Sequence, residues 1–283
     1  MRVLSDWHAE IDGTNAKLAR AVNDLNSQVR LDAVNALRSL HTAEAVIIAL
    51  RALDHRIDQF LEFALFRTIH ERLDVWLADF QAGKDIFEGK PERTAFAFAS
   101  VGGQIATGPL AVLLCDGQLK DEQKLSALGI LATFGNATQR EAVLNHLPRL
   151  PADGVTNVLQ ALLAGGRLEV PENASGVCRL CESKNSEIRG LAMELADKWR
   201  IHAASSALRQ IATKATTSRE ERLAAGHALI AVDLAKGTTI LQQIFEQASN
   251  DDVRASAIAA LARCSAARAI PQADPIACRP DPT

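Results

Sequence analysis

Aromatic side chains are the scarcest feature of this 283-residue chain. Tyrosine is absent, and phenylalanine and tryptophan bring the aromatic content to only 4%, although hydrophobic residues make up 48%. The core must therefore be built mainly from Ala, Leu, Val and Ile. Such small and aliphatic side chains are typical of closely packed helices.

An excess of positive charge is also missing. The chain has 31 Lys and Arg against 34 Asp and Glu, with a formal net charge of -3 and an isoelectric point near 6.2. Phosphate backbones and anionic lipids attract proteins through basic surfaces. The composition therefore predicts no nucleic-acid partner and provides no long-range attraction to an anionic membrane.

The longest uncharged run extends from Thr94 to Cys115 and is interrupted by Gly102-Gly103 and Gly108-Pro109. These breaks predict two short helices joined by a turn rather than a membrane span. The first eight residues, Met1 to His8, reach a charge before an apolar run of signal-peptide length. The chain by itself therefore predicts either a cytoplasmic location or a fragment of a longer protein.

Recognisable reaction chemistry is missing as well. The sequence contains no Gly-rich phosphate loop, no Gly-x-Ser-x-Gly and no His-Glu-x-x-His. Cys178 and Cys181 could form a redox pair or half of a metal site, but no second pair with ligand spacing accompanies them. We predict that both are ordinary core or surface cysteines, and that the chain has no catalytic, metal or cofactor-binding residue and no cofactor.

Two further groups of residues have both a functional and a structural interpretation. His55, Asp58 and Glu62, with His70 nearby, could hold a metal or act as acid and base. Their spacing also fits the polar face of an amphipathic helix, with hydrogen bonds between repeats, and we favour that interpretation. The tryptophans at positions 76 and 199 could anchor a partner, but core packing is the commoner use of tryptophan on an apolar stripe.

An internal repeat organises the rest of the sequence. Three segments share the order Asn, Ser or Asp, any residue, Val or Ile, Arg, and each has Ala three residues after the Arg: Asn26–Arg30, Asn185–Arg189 and Asn250–Arg254. The intervals between them equal five and two periods of about 32 residues. The same period predicts degenerate copies near Asp58, Arg93, Lys124, Thr156 and Arg222.

Each repeat predicts a pair of helices. Asn, Ser or Asp before the apolar run supplies a side-chain oxygen that caps a helix. The second helix of the first unit, from Ala45 to Leu53, has a broader apolar surface than the first, which favours the inner position. Breaks between helices are predicted at His41-Thr42, Gly83, Gly102-Gly103, Gly117, Gly135-Asn136, Pro148 to Gly154, Gly165-Gly166 and Lys236-Gly237.

The sequence therefore predicts an all-α fold, a right-handed α-solenoid of about eight helix pairs, with more than about 60% of its residues helical. We expect a lead-in over residues 1–14, the solenoid over residues 15–270, and a Pro-rich disordered tail over residues 271–283.

The repeat is similar to HEAT-like repeats, including the shorter kind named after phycobilisome lyases. In that family, the Arg and a preceding acid or amide often form a ladder between neighbouring units. The resemblance implies a structural inter-repeat ladder at the matching positions, Asn26, Arg30, Asn185, Arg189, Asn250 and Arg254.

A narrower resemblance covers the first hundred residues or so, through Val29–Ala33, Ala52–Leu65 and Leu73–Leu77. These stretches are similar to the helical region of large planctomycete proteins that join a sugar-dehydrogenase-like propeller, a helical array and a haem-binding cytochrome c module. The resemblance implies a periplasmic or cell-envelope location. A c-type haem needs Cys-x-x-Cys-His, whereas Cys181 is followed by Glu182, so we expect no haem on this chain.

Two classes of function follow. The first is a non-catalytic protein-interaction or scaffold module, whose partner is another protein or an adjoining domain, such as the spacer of a dehydrogenase-cytochrome system. The alternative is a HEAT-like enzyme of the bilin lyase or DNA glycosylase type. A glycosylase would need a basic concave groove with a carboxylate facing it, and the charge balance argues against such a groove.

The ends do not complete the repeat. Asn15 to Asn23 resembles only a second helix, and Asp251 to Arg263 only a first, followed by the short segment Ala266 to Ile270. Solenoids need polar caps on their terminal units, and neither end has one. We therefore hypothesise a longer polypeptide or an end-on partner, with three apolar side chains partly uncovered at the C-terminal end: Ile258, Leu261 and Ile270.

Overall fold

The computed structural model describes residues 13–165 and 170–269, and the regular secondary structure within them is helical. These ranges contain sixteen α-helices and no strand, and helices make up 79% of the described residues. The all-α prediction is confirmed, and the helical content exceeds the predicted threshold. The predicted lead-in lies almost wholly outside the described residues, as do Ile270 and the predicted tail.

The helices divide between two compact units, unit 1 (Met1–Phe134) and unit 2 (Gly135–Thr283). Unit 1 contains α1 (Thr14–Val22), α2 (Ser27–Ser39), α3 (Ala43–Leu50), α4 (Gln59–Glu71), α5 (Leu73–Gln81), α6 (Pro91–Val101), α7 (Gly103–Cys115) and α8 (Asp121–Phe134). Unit 2 contains α9 (Ala137–His146), α10 (Ala152–Ala164), α11 (Ser175–Cys181), α12 (Ser186–Trp199), α13 (Ser205–Thr213), α14 (Arg219–Val232), α15 (Leu234–Gln247) and α16 (Asp251–Ala269).

Each unit arranges its helices in two rows. In unit 1, α2, α4, α6 and α8 contact one another in that order, and α1, α3 and α5 form a second row. In unit 2, α10, α12, α14 and α16 form one row and α9, α11, α13 and α15 the other. Contacts between every second helix are what stacked helix pairs produce. All eight positions predicted for the repeat lie in an even-numbered helix or, for Asp58, directly before one.

The repeated Asn and its equivalents are helix caps. The Asn26 side chain accepts a hydrogen bond from the backbone N–H of Gln28, and Asn185 and Asn250 accept from the amides of their own first turns. Asp58 caps α4 by accepting from the amides of Phe60 and Leu61. Because free amides at a helix start require such partners, the repeat fixes where the helices begin. The predicted capping is confirmed.

Rings fill part of the core of unit 1. Trp76 is fully buried, packs edge-on against Phe87 and Phe98 at centroid distances of 5.8 and 5.5 Å, and donates from Nε1 to the carbonyl oxygen of Ile69 at 2.9 Å. Phe80 lies 5.0 Å from Phe98 between centroids. Edge-to-face pairs of this kind stabilise a core beyond the area that they bury.

The loop between α5 and α6 contains one residue with an unfavourable backbone conformation. Glu88 has a φ of 52°, which is unfavourable for a residue with a Cβ. Its carboxylate pairs with the Arg51 guanidinium at 2.5 Å and also with Arg93, which is buried. Hydrogen bonding to Arg51, more than to Arg93, lowers the pKa of the Glu88 carboxyl. The two cations therefore hold the loop in its left-handed turn.

Glycine allows close approach in unit 2. A Cβ on Gly237 would lie 2.3 Å from the carbonyl oxygen of Leu229 in the preceding helix, and one on Gly226 would lie 2.8 Å from the Cβ of Ala260. The predicted break at Lys236-Gly237 is wrong, because these residues lie inside α15 and the chain turns at Asp233 instead. Gly237 serves packing between α14 and α15.

The long uncharged run forms two helices, as predicted, and they are separated at Gly102 and Gly103, which both have positive φ. The second predicted break is wrong, because Pro109 lies inside α7. None of the helices in the described ranges combines the length and the apolar character that crossing a membrane requires.

Candidate functional site

Arg30 joins two successive loops of unit 1. It is buried, and its guanidinium donates to the carbonyl oxygens of Asp24 (2.8 Å) and Leu25 (3.1 Å) in the loop before its own helix. It also donates to the carbonyl oxygen of Arg56 (3.1 Å), 26 residues later, before the next even-numbered helix. One side chain thus ties neighbouring helix pairs together.

Arg189 has the corresponding contacts in unit 2. It donates to the carbonyl oxygens of Ser183 (2.7 Å) and Lys184 (3.1 Å), and it pairs with the carboxylate of Glu221 (2.5 Å), 32 residues later. Asn185 caps α12 and takes no part in this tie. The cation therefore links neighbouring pairs, while the preceding amide is used locally.

Arg254, the third predicted ladder residue, has local contacts. Its Nε donates to the carbonyl oxygen of Ala248 at 2.6 Å, and its guanidinium lies 3.6 Å from the Asp251 carboxylate. Arg222, one period earlier, is buried and donates from Nε to the hydroxyl of Ser256 at 3.2 Å, which links α14 to α16. These contacts support the inter-repeat role, which stays a prediction.

A second set of ties, not foreseen from the sequence, joins the opposite ends of the even-numbered helices. Arg72, after α4, donates to the carbonyl oxygen of Arg38 near the end of α2 at 2.9 Å. Lys198 donates to the carbonyl oxygen of Leu163 at the end of α10. Cations are favourable beside the last carbonyls of a helix, which lack partners in the helix itself.

His55, Asp58 and Glu62, considered above as a metal or acid-base group, each make different contacts. Asp58 caps α4, and the His55 ring lies 3.3 Å from the side-chain oxygen of Asn23, one period earlier. Glu62 faces a surface cleft described below. Groups of three or more His, Cys, Asp or Glu with metal-site geometry do not occur within residues 13–165 and 170–269.

The paired cysteines lie on α11, and their thiols are poor nucleophiles. Burial raises the pKa of the Cys181 thiol to about 12, and burial also raises the pKa of Cys178. Thiols that remain protonated at neutral pH are weak metal ligands and weak redox groups.

The tryptophans at positions 76 and 199 are both buried, which confirms the predicted core packing; Trp199 is 5% exposed.

An uncovered row of rings lies on α4; we call it the aromatic ridge and define it as Phe60, Phe63, Phe66 and His70. The three phenylalanines are 63%, 61% and 40% exposed. The rings of Phe63 and Phe66 stack at 6.4 Å between centroids, and the His70 ring lies 4.2 Å from that of Phe66. Burying such side chains is normally favourable by about 1.5–3 kcal/mol each, and the exposed rings forgo that stabilisation.

A cleft of about 480 Å³ adjoins the aromatic ridge. Its apolar lining is shared among α4, α6 and the segment between α3 and α4, through Phe66, Phe96, Leu53 and Ile57. Phe96 and the two aliphatic residues also pack on the core cluster below, which fixes their positions. The cleft is therefore a preformed extension of the aromatic ridge.

The polar part of the cleft is mainly acidic. Three glutamates, Glu62, Glu92 and Glu122, line it together with one cation, Lys120, which lies 3.5 Å from the Glu92 carboxylate. In the described part of the chain, neither of the other two carboxylates has a cation within ion-pair distance. The cleft thus presents two uncompensated negative charges beside an apolar floor.

The aromatic ridge was missed at the sequence level although a signal for it exists. Residues 60, 63 and 66 recur at helical spacing, beside the stripe Leu61, Ala64, Leu65 and Ile69 that faces the core. One helix needs only one apolar stripe for packing. Two stripes on one helix therefore indicate a second surface to be covered.

Comparison with protein-family models and with curated proteins gave no match.

Proposed function

We propose that this chain is a protein-interaction module, built as a right-handed α-solenoid of about eight HEAT-like helix pairs. The two rows of helices in each unit, the capped helix starts and the arginine ties one period apart support this architecture. The function is carried by one observation, the exposed aromatic ridge beside a preformed apolar cleft in unit 1. The more specific role as a spacer in a dehydrogenase-cytochrome system rests on the resemblance of the first hundred residues.

The enzyme alternative has less support. A DNA glycosylase needs a basic groove, whereas three glutamates and one lysine line the cleft of unit 1. A lyase needs an accessible thiolate or imidazole, and of the paired cysteines Cys181 is buried and has a raised pKa.

An unbiased peptide-display library panned on the purified chain tests the proposal. Sequences enriched on the wild type should be lost on Phe60→Ser/Phe63→Ser, because the variant removes apolar contact area without touching the core. Phe245→Ser, which removes an exposed phenylalanine from α15, is the matched control and should retain binding.

Circular dichroism and the unfolding midpoint verify that both variants remain folded. Enrichment that is equal on the wild type and on Phe60→Ser/Phe63→Ser, or no enrichment at all, would contradict the proposal.

A further inference from the structure

We infer that the occupant of the aromatic ridge and cleft is a basic amphipathic helix of a partner protein. The inference rests on the proposed function and adds the chemistry of the partner. It is carried by the shape of the apolar surface, by the structural elements around it and by the sign of its charge.

The length of the apolar surface favours a macromolecular segment over a small molecule. Phe60 and Phe63 are exposed and lie outside the lining of the cleft, to which the aromatic ridge contributes Phe66. From Phe60 to His70 the aromatic ridge spans eleven residues of helix, and the ten rises between them amount to about 15 Å. A small ligand would occupy the cleft and leave most of these rings in water.

The surrounding elements favour a helix over an extended peptide. An extended chain that binds by strand addition pairs its backbone with a sheet edge, and residues 13–165 and 170–269 contain no strand to which it could add. The backbone groups of α4, α6 and α8 are used within those helices. Side chains three residues apart on a helix form a ridge, and such a ridge fits the groove on the surface of another helix. A partner helix also satisfies its own backbone groups internally.

The charge of the cleft specifies a basic partner. Glu62 and Glu122 lie on α4 and α8, on either side of Glu92, which is itself paired with Lys120. A partner helix with its apolar side chains on the rings would place its flanking side chains near these carboxylates. Lys or Arg there would be attracted, and Glu or Asp repelled. The same charges disfavour an anionic membrane as the occupant.

Fluorescence anisotropy with two labelled helical peptides of about 18 residues tests the inference. The Leu/Lys peptide is amphipathic, with Leu on one face and Lys on the other, and the Leu/Glu peptide has Glu at every Lys position. The Leu/Lys peptide should bind the full chain and the Leu/Glu peptide should not. Glu62→Lys/Glu122→Lys should weaken binding of the Leu/Lys peptide at least tenfold and strengthen that of the Leu/Glu peptide. Glu194→Lys/Glu246→Lys, which makes the same charge change at exposed positions of unit 2, should leave both affinities within about twofold.

Several outcomes separate the two proposals. Peptide-display enrichment that depends on the aromatic ridge, with no binding of the Leu/Lys peptide, would overturn the inference and leave the interaction module standing. Failure of both experiments would overturn both. Binding of the Leu/Lys peptide that is unchanged in Phe60→Ser/Phe63→Ser would place the peptide elsewhere and refute the inference. Ridge-dependent flotation with phosphatidylserine vesicles would identify a membrane as the occupant instead.

Discussion

In unit 1, aromatic rings fill the space between helices, whereas in unit 2 glycines bring the helices close together. Eight of the nine phenylalanines lie in unit 1, and the ring pairs found in the described ranges all belong to it. A Cβ added to the glycines described in unit 1 would meet nothing within 4 Å. In unit 2 it would press on backbone at Gly237 and on Ala260 at Gly226.

This difference concerns function as well as packing. A row of helices built on small residues buries its apolar face and leaves isolated apolar side chains at the surface, such as Phe245 and Ile258. A row rich in phenylalanine has more rings than its core accommodates, and the surplus forms the aromatic ridge. The same two-row arrangement thus has an exposed row of rings in one unit and closely approaching helices in the other.

The largest expected effect is the loss of a ring from the core of unit 1. Trp76→Ala removes a fully buried side chain that contacts Phe87 and Phe98, and it leaves a cavity between these rings. We expect the free energy of unfolding to fall by about 3–5 kcal/mol. Urea denaturation followed by circular dichroism at 222 nm measures it. Phe245→Ala, at an exposed ring of unit 2, should change it by less than about 0.5 kcal/mol. Similar losses in the two variants would remove the distinction between the units.

The close approach in unit 2 is tested by one added methyl group. Gly237→Ala places a Cβ against the carbonyl oxygen of Leu229, so the backbones of α14 and α15 must separate. We expect a loss of about 1–3 kcal/mol, the usual cost of overpacking. Gly190→Ala, on α12 where a Cβ meets nothing within 4 Å, should instead stabilise by about 0.5–1 kcal/mol through helix propensity. A stabilised Gly237→Ala protein would show that the glycine is not needed for packing.

Helix caps were predictable from the sequence, whereas the roles of one glycine and one proline were not. The caps at Asn26, Asp58 and Asn185 were predictable because a local hydrogen bond fixes each of them. Gly237 was misinterpreted as a helix break because a glycine chosen for close approach and one chosen for a turn look alike in sequence. Pro109 was misinterpreted for a similar reason, since a proline signals a break and α7 accommodates it.

The candidate site was less predictable than the fold. Phe60, Phe63 and Phe66 were visible as a second stripe, but the cleft requires α6 and α8 to lie beside α4, and that arrangement follows from tertiary packing. Likewise, the period of the repeat identified Arg30 and Arg189 as equivalent. Their acceptors, a carbonyl oxygen in one case and a carboxylate in the other, depend on the local course of the next loop.

A smaller effect is expected at the strained loop of unit 1. Glu88→Ala removes the pairs with Arg51 and Arg93 but keeps the positive φ, whereas Glu88→Gly removes the pairs and relieves the strain. The glycine variant should therefore be more stable than the alanine variant by about 1 kcal/mol, measured by urea denaturation. Equal stabilities would show that the left-handed turn stores no strain.

The same residue has a dependence on pH with a definite sign. Because the pKa of Glu88 is lowered in the folded state, its contribution is present above the unfolded pKa and is lost as the pH falls through the folded pKa. The difference in unfolding free energy between wild type and Glu88→Gln should therefore shrink below about pH 4. A difference that grows on acidification would contradict this assignment.

The smallest expected effect concerns a titrating group in unit 2, where close packing surrounds His227. Its Nε2 is buried and has no hydrogen-bond partner in the described part of the chain. Burial, and secondarily the charge of Arg263 on α16, lowers its pKa below the ordinary 6.5, while Asp197 on α12 acts in the opposite direction. Above pH 6.5 the group is neutral in both states and has no effect. As the pH falls through 6.5, the unfolded chain gains the proton first, so stability decreases until the folded pKa is passed.

His227→Leu should flatten the part of the stability profile between pH 6.5 and the folded pKa of His227. The other histidines are present in both proteins, so the difference between their unfolding curves isolates this one residue. The proton resonances of the imidazole, followed by NMR, report the folded pKa directly. If they titrate above pH 6.5, the ring is stabilised as a cation, and close packing in unit 2 does not exclude charge at this position.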